Sequence, residues 1–393
     1  MHAGIGFSGE SGAYPEGLGW SDWGRGRDGS CLIPLSRSSN WFMGMEDPEQ
    51  EWRELRVSND AHEDAAELRR RLDLDGYLFF RKLQSPDLLG ELRREMLTVM
   101  QDGGWVREGT DPLDGIANLD ARCTEGDPEY TGVYHEVYKL EAFHRIAHQP
   151  EVMEMIERIY GSPAMPHPQK IARLWFPQFT EHTTPAHQDY VHFQGHYQTL
   201  TCWAPVGDCP RELGGLAVLA GSHRTGGVLD HHFSLGAGAL DVELGEDERK
   251  REWHSTDYQI GDTLIFPSLT IHKAFPNVTA DQLRVSLDNR YQVIGKTIAE
   301  HMLLPHLNSF NELTWDDVYR DWSSEDLKYY WEKIENPVAP RDLSYLEKGF
   351  AEAVEQARHG DAHARLYLGR FIRRDPESAE ARTAREVLDW IRS

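Results

Sequence analysis

From Asp60 to about Asp73 the apolar residues Ala61, Ala65, Leu68 and Leu72 recur at three- and four-residue intervals, which predicts an amphipathic helix. Gly76-Tyr-Leu-Phe-Phe-Arg-Lys-Leu83 lacks that spacing and reads as a short buried strand. Ser85 then opens a second helix through Leu88, Leu89, Leu92, Met96 and Met100. A further helical stretch covers residues 141–160 and stops at Gly161-Ser-Pro163. Between Ile171 and about Gln292 the texture changes to short β-prone runs separated by turn residues: IARLWF, QTLTCWAPV, GGLAVLAGSH, DTLIFPSLTIH and LRVSLDNRYQV. Such runs without intervening helices predict an antiparallel sandwich or barrel. From about Ile298 the pattern returns to helix, and residues 344–391 carry Ala and Leu at helical spacing around a break at Asp375-Pro376. That tail resembles one tetratricopeptide-like hairpin with no second copy.

These textures divide the 393 residues into an arm over 1–45, a helix-then-strand domain over 46–297 and a helical extension over 298–393. The arm is rich in Gly and Ser but contains Trp20, Trp23, Trp41 and Phe42, so it reads as an irregular segment packed on the body. Its Gly4-Ile-Gly6-Phe-Ser-Gly9 matches the dinucleotide-binding pattern only formally, because no strand precedes it and Pro15 follows. Lys and Arg number 41 against 65 Asp and Glu, a net charge of −24, which disfavours nucleic acid and membrane surfaces as partners. The four cysteines, Cys31, Cys123, Cys202 and Cys209, form no CxxC pair, as expected of a reducing, cytoplasmic protein. The first residues show neither a basic start nor an apolar run, and no stretch is long and apolar enough to cross a membrane.

Three His-x-Asp or His-x-Glu-like triplets ending in Asp occur: His62-Glu-Asp64, His187-Gln-Asp189 and His359-Gly-Asp361. Residues i and i+2 share a face on a strand but point about 200° apart on a helix. His62 and Asp64 lie in a helical stretch, and His359 and Asp361 straddle a glycine at a helix end. Only His187 and Asp189 occur where the backbone is expected to be extended. A second histidine is available in Gly261-Asp-Thr-Leu-Ile-Phe-Pro-Ser-Leu-Thr-Ile-His272, which reads as a turn launching an apolar strand that ends at His272. Two imidazoles and a carboxylate leave adjacent metal positions open, as in non-haem Fe(II) oxygenases. Arg284-Val-Ser286-Leu-Asp288-Asn-Arg290 alternates so that Arg284, Ser286, Asp288 and Arg290 share one face. A guanidinium there matches a carboxylate at two points, with a serine as further donor. His182, His192, His196 and His254 read as surface or hydrogen-bonded histidines.

The order His187-x-Asp189, Gly214-Gly-Leu-Ala-Val-Leu-Ala-Gly-Ser-His223, Gly261-Asp-Thr with Phe266-Pro267 before His272, then Arg284-x-Ser286 resembles the phytanoyl-CoA dioxygenase family of Fe(II)/2-oxoglutarate oxygenases. The resemblance covers about residues 74–292 and departs from the family pattern at Ala220, where a proline is usual. It implies a mainly β fold with flanking helices, its core a double-stranded β-helix of the jelly-roll, cupin-like kind. It also implies iron held by His187, Asp189 and His272, and the distal carboxylate of 2-oxoglutarate held by Arg284 and Ser286. Trp203 falls where the family often has an aromatic near the cosubstrate, and Lys139 resembles a cosubstrate-contacting lysine of some members. Arg173, Trp175, Gln188 and Arg290 are candidates for contacting substrate.

The implied reaction consumes O2 and 2-oxoglutarate and hydroxylates an unactivated C–H of a small metabolite or natural-product intermediate. A carboxylate at Asp189 favours this over halogenation. Two other readings remain open, a non-redox cupin-type metal enzyme and an inactive barrel that binds partners. The apolar stripe of the C-terminal helices requires a cover, either the barrel or a second copy of the chain in a homo-oligomer.

Overall fold

The computed structural model describes residues 52–308 and 313–392. The arm, its glycine motif and Cys31 lie outside them. Each β-prone run becomes a strand, with one instructive exception. The 261–272 segment is not one strand but two, Thr263–Pro267 and Ile271–Ala274, and they belong to different sheets. Pro267 cannot donate to a ladder, and Thr270 N bonds back to its carbonyl in a tight turn (2.9 Å) that carries the chain across. His272 is thus the second residue of a new strand rather than the end of an old one.

One sheet runs, in spatial order, Trp52–Glu54, Trp253–Ser255, Leu216–Leu219, Ile271–Ala274, His187–Gln188. The other runs Leu78–Phe80, Thr263–Pro267, Leu200–Pro205, Arg284–Val293, with Ala164–Pro166 and Ile171–Trp175 both pairing with the last of these. Pairing is antiparallel except for Trp52–Glu54, which runs parallel to Trp253–Ser255. The sheets meet face to face. Phe79, Trp203, Leu264 and Phe266 from one pack with Leu216, Val218 and Ala274 from the other. The architecture is therefore two facing sheets with flanking helices.

The helices cover the outer face of the six-stranded sheet. Pro86–Asp102, capped by the Ser85 hydroxyl accepting from Leu88 N (3.3 Å), buries Leu89, Leu92, Met96, Leu97 and Met100. Together with Pro128–Tyr138 it packs on Leu174, Val285 and Leu287. The Pro128–Tyr138 helix was not expected from periodicity; Asp127-Pro128 is its start signal. The expected helix over 141–160 is interrupted. It becomes Glu141–Arg145, a 3-10 turn over Ile146–His148 and a new helix over Pro150–Tyr160, because Pro150 cannot continue a helix. The first helix begins later than its spacing predicts, at Ala65, with the Asp64 carboxylate accepting from Ala66 N and Glu67 N. That cap, rather than helical geometry, removes Asp64 from any partnership with His62.

The C-terminal residues form three helices rather than one hairpin: Ser344–Arg358, Ala362–Arg374 and Ala379–Arg392. Their shared stripe of Ala353, Ala357, Ala364, Leu368 and Val387 closes over Phe233 of the His231–Phe233 strand, so the body of the same chain covers it. Cys123, Cys202 and Cys209 are buried free thiols. No helix among the described residues is long and apolar enough to cross a membrane.

Candidate metal centre and cosubstrate pocket

Antiparallel register places His187 directly opposite His272. Strand alternation turns both rings into the space between the sheets, with centroids 4.3 Å apart. Each ring is locked by its own strand. Nδ1 of His187 donates to Pro185 O (2.9 Å) and Nδ1 of His272 to Thr270 O (3.0 Å). A carbonyl can only accept, so in each neutral ring the proton sits on Nδ1 and Nε2 carries a bare lone pair. Burial pushes His272 down to about 4, which keeps it neutral at physiological pH.

Both lone pairs face Asp189. Its Oδ1 lies 3.4 Å from Nε2 of His187 and 3.6 Å from Nε2 of His272. The Thr201 hydroxyl donates to Asp189 Oδ2 at 2.5 Å, and Arg290 Nη2 approaches the same oxygen at 3.4 Å. Burial pushes the Asp189 carboxyl up, but the Arg290 guanidinium together with the His272 and His187 rings outweighs it and holds the group well below the usual carboxylate range. Two imidazole nitrogens and a carboxylate oxygen thus converge on one point. Two imidazoles with one carboxylate converging in this way suit a divalent metal of the first transition row. Among the described residues, these three form the group of potential ligands whose atoms all lie within 4.8 Å of one another.

Arg284 occupies the same interior face. It is only 1% exposed, yet among the described residues no carboxylate pairs with it. Nε donates to Gly214 O (2.9 Å) and Nη1 to Ser286 Oγ (2.7 Å), while the guanidinium lies over Trp175 at 4.0 Å and 6.0 Å from the Trp203 ring. Burial draws its pKa down to about 10, so it remains a cation at neutral pH. Asp288, the acid on the same strand face, is taken by Arg173 (3.0 Å). Arg284 is a desolvated cation awaiting an anion.

The remaining candidates separate. Trp203 is buried beside Arg284, edge-on to Tyr258 at 4.7 Å. Arg173 bridges Asp288 and Glu125 (2.6 Å). Arg290 stands behind Asp189, its guanidinium 3.6 Å from the centre of the Phe193 ring. Gln188 is turned to the opposite face, where its amide binds Gly227 O, Leu269 O and Leu229 N. Lys139 is not brought to the site; at a partly exposed helix end it pairs with Glu136 (2.6 Å). His254 accepts or donates at Tyr77 Oη, and His196 accepts from Gln198 N, as hydrogen-bonded histidines. His192 is closer to the chemistry than expected, its ring 5.4 Å from that of His187. Thr201 escaped the sequence reading altogether. Its only signal is its place two residues before Trp203 on the same strand face.

Two imidazoles and a carboxylate converging inside a two-sheet frame define a mononuclear metal-site protein. Residues 72–286 match the family model described as phytanoyl-CoA dioxygenase (PhyH), more than half of the chain, and the protein belongs to that family. It is accordingly a dioxygenase that uses iron, 2-oxoglutarate and O2. The 1-deoxypentalenic acid 11-beta-hydroxylase of Streptomyces arenae is 28% identical over 243 residues, spanning 58% of this chain and 82% of the relative. The enzyme of the same name from Streptomyces exfoliatus is 25% identical over 244 residues with the same coverage. Among solved structures, the epimerase SnoN in complex with Fe3+, alpha ketoglutarate and nogalamycin RO superposes with a TM-score of 0.44 at 19% identity, covering 60% of this chain and 85% of that one.

Proposed function

We propose that His187, Asp189 and His272 hold Fe(II), that Arg284 and Ser286 receive the distal carboxylate of 2-oxoglutarate, and that the enzyme hydroxylates an unactivated C–H of a small natural-product intermediate. The frame is read as a double-stranded β-helix in a cytoplasmic enzyme. The observation that carries the reading is the convergence of His187, Asp189 and His272 beside a buried guanidinium that no acid among the described residues satisfies. When bound, iron and 2-oxoglutarate supply, with O2, oxidative decarboxylation to succinate and CO2 and the oxidising equivalent that converts C–H to C–OH.

The chain's own residues bind, orient and shield. Pro185 and Thr270 carbonyls fix the imidazole tautomers, and Arg290 with Thr201 fixes the charge and rotamer of Asp189. Arg284 neutralises the cosubstrate's far end, and its stacking on Trp175 keeps the fork in one orientation. Trp203, Phe266 and Tyr258 keep water from that end of the interior. The relatives named as 1-deoxypentalenic acid 11-beta-hydroxylases support a small-molecule substrate.

The test is anaerobic. Fe(II) followed by 2-oxoglutarate should produce the weak visible charge-transfer band of a chelate, and admission of O2 should yield succinate without added substrate. A band that never forms at saturating 2-oxoglutarate overturns the assignment.

A further inference from the structure

The strand that carries His187, His187–Gln188, is two residues long and lies at the end of its sheet, with Ile271–Ala274 on one side of it. Alternation turns the backbone groups of Ala186 and Gln188 to the open edge. Two contacts from the base of one hairpin meet them there. The hairpin joins His231–Phe233 to Leu240–Val242, with His231 standing opposite Val242. Val242 N donates to Ala186 O (2.7 Å), and Gln188 N donates to Nε2 of His231 (3.2 Å). Nδ1 of His231 donates to Leu229 O (2.8 Å), which puts the ring proton there and leaves Nε2 to accept. Gln188 is fully buried and His231 is 2% exposed, so the imidazole, not bulk water, satisfies the amide.

That hairpin is fastened from outside. Glu352, on the helix Ser344–Arg358, accepts from Phe233 N (2.7 Å) with one carboxylate oxygen and meets His232 Nδ1 with the other (2.9 Å). Phe233 is buried among Ala353, Ala357 and Leu368 of the C-terminal helices. On the same helix, a Cβ at Gly349 would stand 3.0 Å from Leu240 Cδ2 of the second hairpin strand, so helix and hairpin touch closely at both strands. A short run of contacts therefore leads from the helix through His231 to the backbone of the His-x-Asp triplet. The helix lies beyond the 72–286 family match.

We propose that His231 is a positioning residue for the metal centre, holding the His187–Gln188 strand at its open edge, and that the helix Ser344–Arg358 holds His231 there through Glu352. This rests on the reading of His187 and Asp189 as iron ligands. His231 needs no contact with metal or substrate. The amide it accepts from belongs to the planar peptide joining His187 to Gln188, so turning that peptide displaces the imidazole of His187 against the carboxylate of Asp189. Partners one step behind the ligands orient them and thereby set metal affinity.

The test titrates the full chain with Fe(II) under nitrogen against a competing chelator and then follows amide hydrogen exchange. His231→Phe, which keeps a ring but loses the acceptor, should bind Fe(II) about tenfold more weakly and release the 186–189 amides to several-fold faster exchange. His231→Gln, whose side-chain oxygen can accept in place of Nε2, should recover most of both losses. Leu287→Ala, which loosens the packing under the helices on the other sheet, measures how far affinity falls when stability alone is lowered. Glu352→Ala leaves the imidazole in place and answers the case in which His231→Phe fails to fold. It should loosen residues 231–233 and 186–189 together and weaken Fe(II) several-fold. Wild-type iron affinity in His231→Phe, or a loss no larger than that of Leu287→Ala, overturns the role of His231, and wild-type affinity in Glu352→Ala overturns that of the helix. A wild-type chain that binds no Fe(II) would instead overturn the reading of the ligands and leave the exchange result standing.

Discussion

The two faces of the Arg284–Val293 strand are equally dry and chemically opposite. Outward, Val285 and Leu287 join Leu89, Tyr134 and Phe176 in an apolar core under the helices. Inward, Arg284, Ser286, Asp288 and Arg290 are buried to a similar degree, yet they are polar. Burying apolar area stabilises at about 25 cal/mol per Å², whereas burying charge costs free energy unless partners restore what water gave. The outer face therefore supports the fold, and the stability it supplies lets the inner face carry groups that folding alone would not choose. The inner face is itself divided: among the described residues Arg173 and Arg290 have carboxylate partners, and Arg284 does not.

The comparison breaks most completely at the triad. His187→Ala, Asp189→Ala and His272→Ala should each abolish iron-supported succinate formation, with His62→Ala and His359→Ala as active controls; full activity in His272→Ala would remove the metal assignment. Next comes Arg284→Ala. Leaving a buried anion without its partner costs roughly 2–5 kcal/mol, and about 1.4 kcal/mol is a factor of ten, so 2-oxoglutarate should bind at least some tens of fold more weakly by titration. Iron affinity should hold, and Arg284→Lys should recover only part of the loss.

The outer face should behave in the reverse manner. Leu287→Ala should lower unfolding free energy by about 2–5 kcal/mol in denaturant titrations, while 2-oxoglutarate affinity of the folded fraction stays at the wild-type value. A loss of affinity without a loss of stability would erase the division between the faces.

The smallest effect concerns another buried cation, Lys170, which pairs with no carboxylate among the described residues. Lys170 Nζ bonds Tyr330 Oη (3.1 Å) and the His167 carbonyl, and burial draws it down to about 7. The unfolded chain holds that proton up to an ordinary lysine pKa of about 10.4. Between those values the unfolded state binds more protons, so the native state gains stability as pH rises from 7 towards 10. The stability difference between wild type and Lys170→Met should therefore move in favour of wild type over that window and stay flat below it. A pH-independent difference in melting midpoints would show that Lys170 keeps its proton when buried, as Arg284 does.

Local pattern made much of this legible in the sequence. The strands announced themselves because IARLWF, QTLTCWAPV and LRVSLDNRYQV are short and bounded by turn residues, and alternation correctly grouped Arg284, Ser286, Asp288 and Arg290 on one face. What each of those four would touch was not legible. Arg290 faces Asp189, a hundred residues away in sequence, through pairing that no periodicity encodes. The same limit hid Thr201, Glu125 and His231. Lys139 illustrates the converse: a local motif can suggest a role, while an adjacent turn of helix supplies a nearer acid in Glu136. The crossing at Pro267 was visible as a proline but not as a change of sheet, since the turn depends on which neighbours await the chain on either side.

His187 and His272 sit opposite one another on strands of two and four residues, each ring tied to a carbonyl two positions back in its own chain. The centre is consequently governed by parity. Adding residues to the connections outside those strands leaves the donors where they are, whereas inserting a single residue between Thr270 and His272 would invert the strand's faces and send an imidazole outward. A lineage using this frame is free to rewrite its loops, and with them its substrate, at any length, so long as a few odd and even positions keep their count.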